Sequence, residues 1–131
     1  MTTRARLWLP VVAWCALLFG LSSIPGAAIP KVSIPQLDKL VHATLYGGLG
    51  ALVARASWPR TARSRARTVV GAGLFAVAYG ITDELHQLFV PRRSSDVLDV
   101  AADAVGGFLG AWLATKWLIA IDRRGKSKAA L

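Results

Sequence analysis

The stretch AVAYGITDELHQLFV, residues 76–90, decides how this chain is read. It closes an apolar run that begins near Val69 and is long enough to cross a bilayer core as a helix, for which about 20 residues suffice. Its last two turns carry Asp83, Glu84, His86 and Gln87. Ionisable side chains cost about 2.5–3.5 kcal/mol each at the centre of a membrane helix, so a run that retains them has a reason to.

Outward from this stretch the pattern repeats. Asp38, His42 and Tyr46 open an apolar run over residues 37–56, and Asp96, Asp99 and Asp103 open another over 97–121. A fourth run covers residues 7–23. With 54% apolar residues and a mean hydropathy of +0.47, the 131 residues are too apolar for an ordinary soluble domain. The runs predict an all-α integral membrane bundle of about four transmembrane helices (about 7–23, 37–56, 69–90 and 97–121). They form a single domain over 1–131, with residues 122–131 a frayed polar tail.

The formal charge of +9 would in a soluble protein raise nucleic acid as a partner. Its distribution argues for topology instead. Arg4 and Arg6, then Arg55, Arg60, Arg63, Arg65 and Arg67, then Lys116, Arg123, Arg124, Lys126 and Lys128 fall on one side; Lys31, Lys39, Arg92 and Arg93 fall on the other. Such an excess marks a cytoplasmic face, so both termini are expected inside and the partner is the lipid bilayer, not nucleic acid. The acids run the opposite way, with only Asp122 among the basic residues.

Pro25-Gly26, Pro30 and Pro35 make residues 24–36 a breaker-rich outer loop, and Pro35 sets up the start of the second helix. Residues 57–68 form an Arg-rich inner loop, with Trp58 and Pro59 at the interface and Trp8 and Trp117 in the same belt. Arg4, Arg6 and the first run, followed by Gly26-Ala27-Ala28, also fit a cleaved secretory signal. Retention as a first helix gives the even, N-in and C-in arrangement. The single cysteine, Cys15, allows no intrachain disulfide and reads as packing.

Glycines crowd the later runs: Gly47, Gly48 and Gly50, then Gly71, Gly73 and Gly80, then Gly106, Gly107 and Gly110. Small residues let membrane helices approach closely, which brings the outer helix ends together. Dimerisation through these faces is open, so a homo-oligomer is possible.

At 1.5 Å rise per residue, His42 lies about 6 Å below the outer end of its helix, His86 about 6 Å, and Asp83 and Asp103 about 10 Å. Spacings of three and four give one stripe each to Asp38, His42 and Tyr46, to Tyr79, Asp83, His86 and Gln87, and to Asp96, Asp99 and Asp103. Glu84 falls off its stripe relative to His86, facing another helix or the outer water.

Three chemistries fit such a set. One is structural pairing of the carboxylates with Lys39, Arg92, Arg93 and histidine. A second is acid/base or nucleophilic catalysis, with His42 or His86 oriented by Asp38 and Asp83 and an arginine holding a phosphate. A third is a divalent metal held by Asp38 with His42, Asp83 with His86, and Asp99 with Asp103. No Gly-x-Ser-x-Gly, phosphate-cradling glycine loop or His-Glu-x-x-His occurs. Ser22 and Ser23 read as helix terminators or as donors to the site. Pro91-Arg92-Arg93 is a basic patch on the acidic side, retained for an anion.

Taken together, Ser22-Ser23-Ile24-Pro25, Asp38-Lys39-x-x-His42-x-x-x-Tyr46-x-x-Leu49, Tyr79-Gly80-x-x-Asp83-Glu84-x-His86-Gln87-x-Phe89-Val90-Pro91-x-Arg93 and Asp99-x-x-x-Asp103-x-x-Gly106-x-x-x-Gly110 resemble the VanZ-like family. The resemblance covers residues from about 18 to 115. It implies a small helical protein of the bacterial cytoplasmic membrane, from a family with a member associated with tolerance to the glycopeptide teicoplanin. It implies no defined reaction, and the sequence reads as close to a bare core domain, without the extra helix or soluble extension expected of some relatives. The expected function is to act on or bind an anionic, lipid-linked envelope component at the outer leaflet. His42, His86, Asp83 and Asp38 are then catalytic, and Arg92, Arg93, Gln87, Tyr46, Asp99, Asp103, Lys39 and Glu84 bind substrate. A non-catalytic accessory protein is the alternative, and a small transporter subunit a third.

Overall fold

The computed structural model describes residues 3–29, 34–58 and 65–128. Four helices follow in order, α1 (Thr3–Ser22), α2 (Leu37–Ala56), α3 (Arg65–Gln87) and α4 (Val97–Lys128), with a short 3-10 helix at Gly26–Ala28. The all-α bundle is as expected. Pro30, Lys31, Pro59, Arg60, Arg63 and the last three residues lie outside the described residues.

Four boundaries differ from expectation, one of them the start of α3, which lies at Arg65 inside the expected inner loop instead of at Val69. α1 begins at Thr3 and tolerates Pro10 inside it. α3 ends at Gln87, short of Val90: Phe89 and Val90 donate their amides to the carbonyls of His86 and Gln87, a tighter winding that stops before Pro91. α4 runs through Asp122 to Lys128, so most of the tail is helical instead of frayed. No proline interrupts residues 122–128, and Arg123 and Arg124 complement the negative end of the helix dipole.

α1, α3 and α4 are long and apolar enough to cross a membrane, over Ala5–Ser22, Arg65–Gln87 and Val97–Gly125. α2 has a span's length, about 30 Å, but is not among them. Asp38, Lys39 and His42 in its first turns lower its hydropathy. The bundle surface explains how the chain meets lipid: Leu9, Val12, Phe19, Val70, Leu74, Leu85, Val105, Leu109 and Leu113 all point outward and are exposed.

α2 packs most extensively on α4, α3 packs on α4 as well, and α1 lies against α2. Glycine is the reason α2 and α4 come so close. A Cβ on Gly106 would fall on the carbonyl oxygen of Ala43, and one on Gly110 on that of Gly47. These glycine faces thus meet within the chain. Beneath the polar end the core is built from Leu49, Val53, Ala54, Ala72, Ala76 and Ala111, with Thr68 and Thr115 buried toward the basic end. α1 is tied on by Trp14, whose Nε1–H donates to the Leu45 carbonyl at 2.9 Å, and by Tyr79, whose hydroxyl donates to the Cys15 carbonyl at 2.7 Å.

Candidate functional site

The end of the bundle where α1 and α3 finish and α2 and α4 begin gathers the acids and His42. His42 on α2 is the centre. Its Nδ1–H donates to Oδ1 of Asp103 on α4 at 2.9 Å, and its Nε2 lies 3.8 Å from Oδ2 of Asp99 one turn earlier. Asp103 is fully buried, and its other oxygen packs against α3 at Gly80, where a Cβ would stand 2.5 Å from it. Gly80 is therefore what allows a carboxylate to sit between α3 and α4.

Lys39 precedes His42 by one turn and forms a clamp. Its Nζ donates to Asp38 at 2.9 Å, to Asp96 at 2.5 Å and to Asp99 Oδ1 at 2.7 Å, joining the start of α2 to the start of α4. Asp96, ahead of α4, also accepts from the Leu98 amide, so its carboxyl titrates below the usual range, chiefly through the Lys39 hydrogen bond. Glu84 on α3 is buried and accepts the Asp96 amide at 2.7 Å through Oε2.

Two expected pairings take other forms. Asp38 is mostly exposed and pairs with Lys39 instead of orienting His42; the tertiary partner Asp103 supersedes the local one. Asp83 accepts from Gln87 Nε2 at 3.3 Å instead of pairing with His86. His86 turns to α1, its ring 4.6 Å from that of Phe19 and its Nε2 3.1 Å from Ser23 Oγ. Because Ser23 donates its own proton to the Phe19 carbonyl at 2.7 Å, His86 is the donor in that contact. It is a pin between helices, and Ser23 is not an activated nucleophile.

Glu84 thus faces another helix, one of its two expected places, whereas His86 leaves its stripe for α1. The signal for Glu84 was on α3 all along: Gly73, Ala76, Gly80, Glu84 and Gln87 are buried at spacings of three and four, one small-residue face ending in two polar groups.

Above this cluster a hollow of about 500 Å³ opens between α1, α2, α3 and the loops. Ser22, Asp38, His42, Tyr46, Asp83, Gln87 and Arg93 supply its polar lining, and Leu18, Leu21, Ile24, Ile29, Ile34, Leu37, Val41 and Leu45 its apolar wall. Tyr46 is buried with its ring parallel to that of His42, centroids 6.2 Å apart. The Gly26 amide donates to the Pro91 carbonyl at 3.0 Å, seating the 3-10 helix on the Pro91-Arg92-Arg93 turn. Arg92 takes a left-handed backbone (φ 58°) and is exposed, whereas Arg93 lines the hollow. The two arginines of the basic patch therefore separate, one to solvent and one to the site.

Chemically the arrangement offers an oriented imidazole, a guanidinium, buried carboxylates and an apolar wall in one place. No curated protein and no solved structure is detectably similar to the chain. The family model described as VanZ/LLP1 matches residues 7–120, and the chain belongs to that family.

Proposed function

We propose that this VanZ/LLP1 chain receives an anionic, lipid-linked component of the bacterial cell envelope in the hollow and acts on it there. The observation that carries the reading is the composition of that one space. Arg93, His42, Asp83 and Gln87 line it together with an aliphatic wall from α1, α2 and the connecting loop. An amphiphile has the same division: its charged head suits Arg93, which forms strong charge-assisted hydrogen bonds with phosphate, and its chain suits the wall.

Orientation follows the charge bias, with Arg-rich connections and both termini on the cytoplasmic side and the hollow opening toward the outer leaflet of the cytoplasmic membrane. His42, held by Asp103, is the group nearest the chemistry; Tyr46 and Gln87 shape the space around it. Teicoplanin tolerance is the phenotype this placement makes sensible, since glycopeptides engage lipid-linked envelope intermediates on that side.

The test is a null strain complemented at equal expression with wild type, His42→Ala, Asp83→Asn or Arg93→Gln. Envelope lipids and glycopeptide susceptibility should follow the null in the variants. If all match wild type, the hollow is not the working site. A purified chain that retains an envelope lipid without changing it would assign the non-catalytic accessory role. A transporter subunit is disfavoured by the core below Tyr46, where no ionisable residue is buried among the described residues.

A further inference from the structure

His42, Glu84 and Asp99 come from three different helices. One ligand-capable atom from each lies within 4.8 Å of the other two. The hydrogen bonds around them leave three lone-pair-bearing atoms unused. His42 Nδ1 is committed to Asp103, which leaves Nε2. Asp99 Oδ1 is committed to Lys39, which leaves Oδ2. Glu84 Oε2 is committed to the Asp96 amide, which leaves Oε1 buried with no hydrogen-bond partner among the described residues, in a side chain only 3% exposed.

The separation of two of these atoms is informative. His42 Nε2 and Asp99 Oδ2 are 3.8 Å apart, too far for a hydrogen bond. Ligands that each stand about 2.0–2.2 Å from one ion lie roughly 3–4.4 Å apart. Charge points the same way. Asp83, Glu84, Asp99 and Asp103 are buried carboxylates, and Lys39 bonds only Asp99 among them while also serving Asp38 and Asp96. The buried carboxylates thus outnumber the lysine that meets them, and buried charge must be matched.

We infer that His42 Nε2, Glu84 Oε1 and Asp99 Oδ2 form a site for one divalent transition cation, of the Zn²⁺ or Mn²⁺ kind. One imidazole with two carboxylates favours such ions over Ca²⁺ and Mg²⁺, which prefer all-oxygen shells. Asp103 is its positioning residue: by accepting the Nδ1 proton it fixes the tautomer that turns Nε2 inward, as carboxylates behind metal-bound histidines do. Of the three ligands His42 alone also lines the hollow, so it is through His42 that a bound cation would neighbour a phosphate held there. The inference deepens the proposed function, resting on it for the phosphate alone; cation binding by the three residues stands or falls separately.

The experiment uses the full chain in detergent, without a histidine tag, stripped by chelator. Zn²⁺ is titrated by calorimetry, with Mg²⁺ as comparison, and Co²⁺ is followed by its visible absorption. Wild type should take up one Zn²⁺, bind Mg²⁺ far more weakly, and give Co²⁺ bands of a nitrogen and oxygen site with no thiolate contribution from Cys15. Asp103→Asn should weaken Zn²⁺ by about 10–100-fold. Glu84→Gln and Asp99→Asn should weaken it at least as much, and His86→Ala not at all. No uptake by the wild type, or wild-type affinity in Glu84→Gln, overturns the inference. Either result can occur while the Arg93 lipid phenotype persists, which would leave the proposed function standing; cation uptake without any lipid phenotype would do the reverse.

Discussion

His42 and Asp103 stand 61 positions apart in the chain and meet through a 2.9 Å hydrogen bond whose acceptor is wholly buried. Removing one member of a buried ionic or hydrogen-bonded couple strands the other, at about 3–5 kcal/mol. Asp103→Ala is expected to lower stability by that amount, read from denaturant unfolding in mild detergent. The isosteric Asp103→Asn should keep most of the stability while losing the envelope phenotype, because an amide does not enforce the same imidazole tautomer.

The two histidines are expected to behave differently. His86→Ala loses one part-buried contact to Ser23 and a ring contact with Phe19, worth about 1 kcal/mol. It should retain wild-type envelope lipids and glycopeptide susceptibility, whereas His42→Ala should not. Equal loss in both variants would contradict the separation.

Arg92 and Arg93 make a similar contrast. A charge-assisted hydrogen bond is worth about 1.5–3 kcal/mol, so Arg93→Gln should weaken retention of a phosphate-bearing lipid by roughly 10- to 100-fold. Arg92→Gln should bind like wild type. Filter or scintillation binding to the solubilised protein measures both.

Close approach of α2 and α4 leaves no room at Gly106 or Gly110. A leucine at either site overlaps the facing backbone carbonyl, which cannot rotate away, and should cost more than the about 1–3 kcal/mol of ordinary overpacking. The expected result is loss of a cooperative thermal transition. Leucine at Gly71, where nothing lies within 4 Å of an added Cβ, should melt like wild type.

Acidification should loosen the 88–96 connection before the bundle. Lys39 holds the Asp96 carboxyl below its ordinary range, so the clamp's contribution is complete above about pH 4 and is lost as pH falls through the lowered value. Hydrogen exchange of the Asp96 and Leu98 amides should therefore show no pH-dependent gain in opening from neutrality to about pH 5, and such a gain on further acidification. Lys39→Met should open the same amides already at neutral pH.

Helix number, the clustering of acids at one end, and the role of glycine at crossings were all legible from apolar run length and charge placement. Partner choice was not. Asp38 and His42 are four apart on one helix, and local spacing makes them a pair; in the fold Asp38 leans to Lys39 and solvent while Asp103 takes the imidazole. Stripe reading ranks residues along one helix, but it carries no information on which neighbour covers each stripe. On α3 the small-residue face, packed against α4, outranked the polar stripe and carried Glu84 inward with it. His86, two residues on, was rotated toward α1. The span of α4 beyond residue 121 was missed because polar composition was read as an end of helix, although nothing there breaks one.

The Lys39 clamp has a consequence for how the protein is made. α2 reaches the translocation machinery with a lysine and an aspartate in its first turn and without the hydropathy of a candidate span, and two of the three carboxylates that hold Lys39, Asp96 and Asp99, arrive only with the start of α4, some 60 residues later. Stable entry of α2 into lipid is then a late, cooperative event, completed when the final segment emerges from the ribosome. In a nascent chain cut off after α3, a cysteine placed mid-way along α2 should remain open to a membrane-impermeant thiol reagent, and it should become protected once α4 is included.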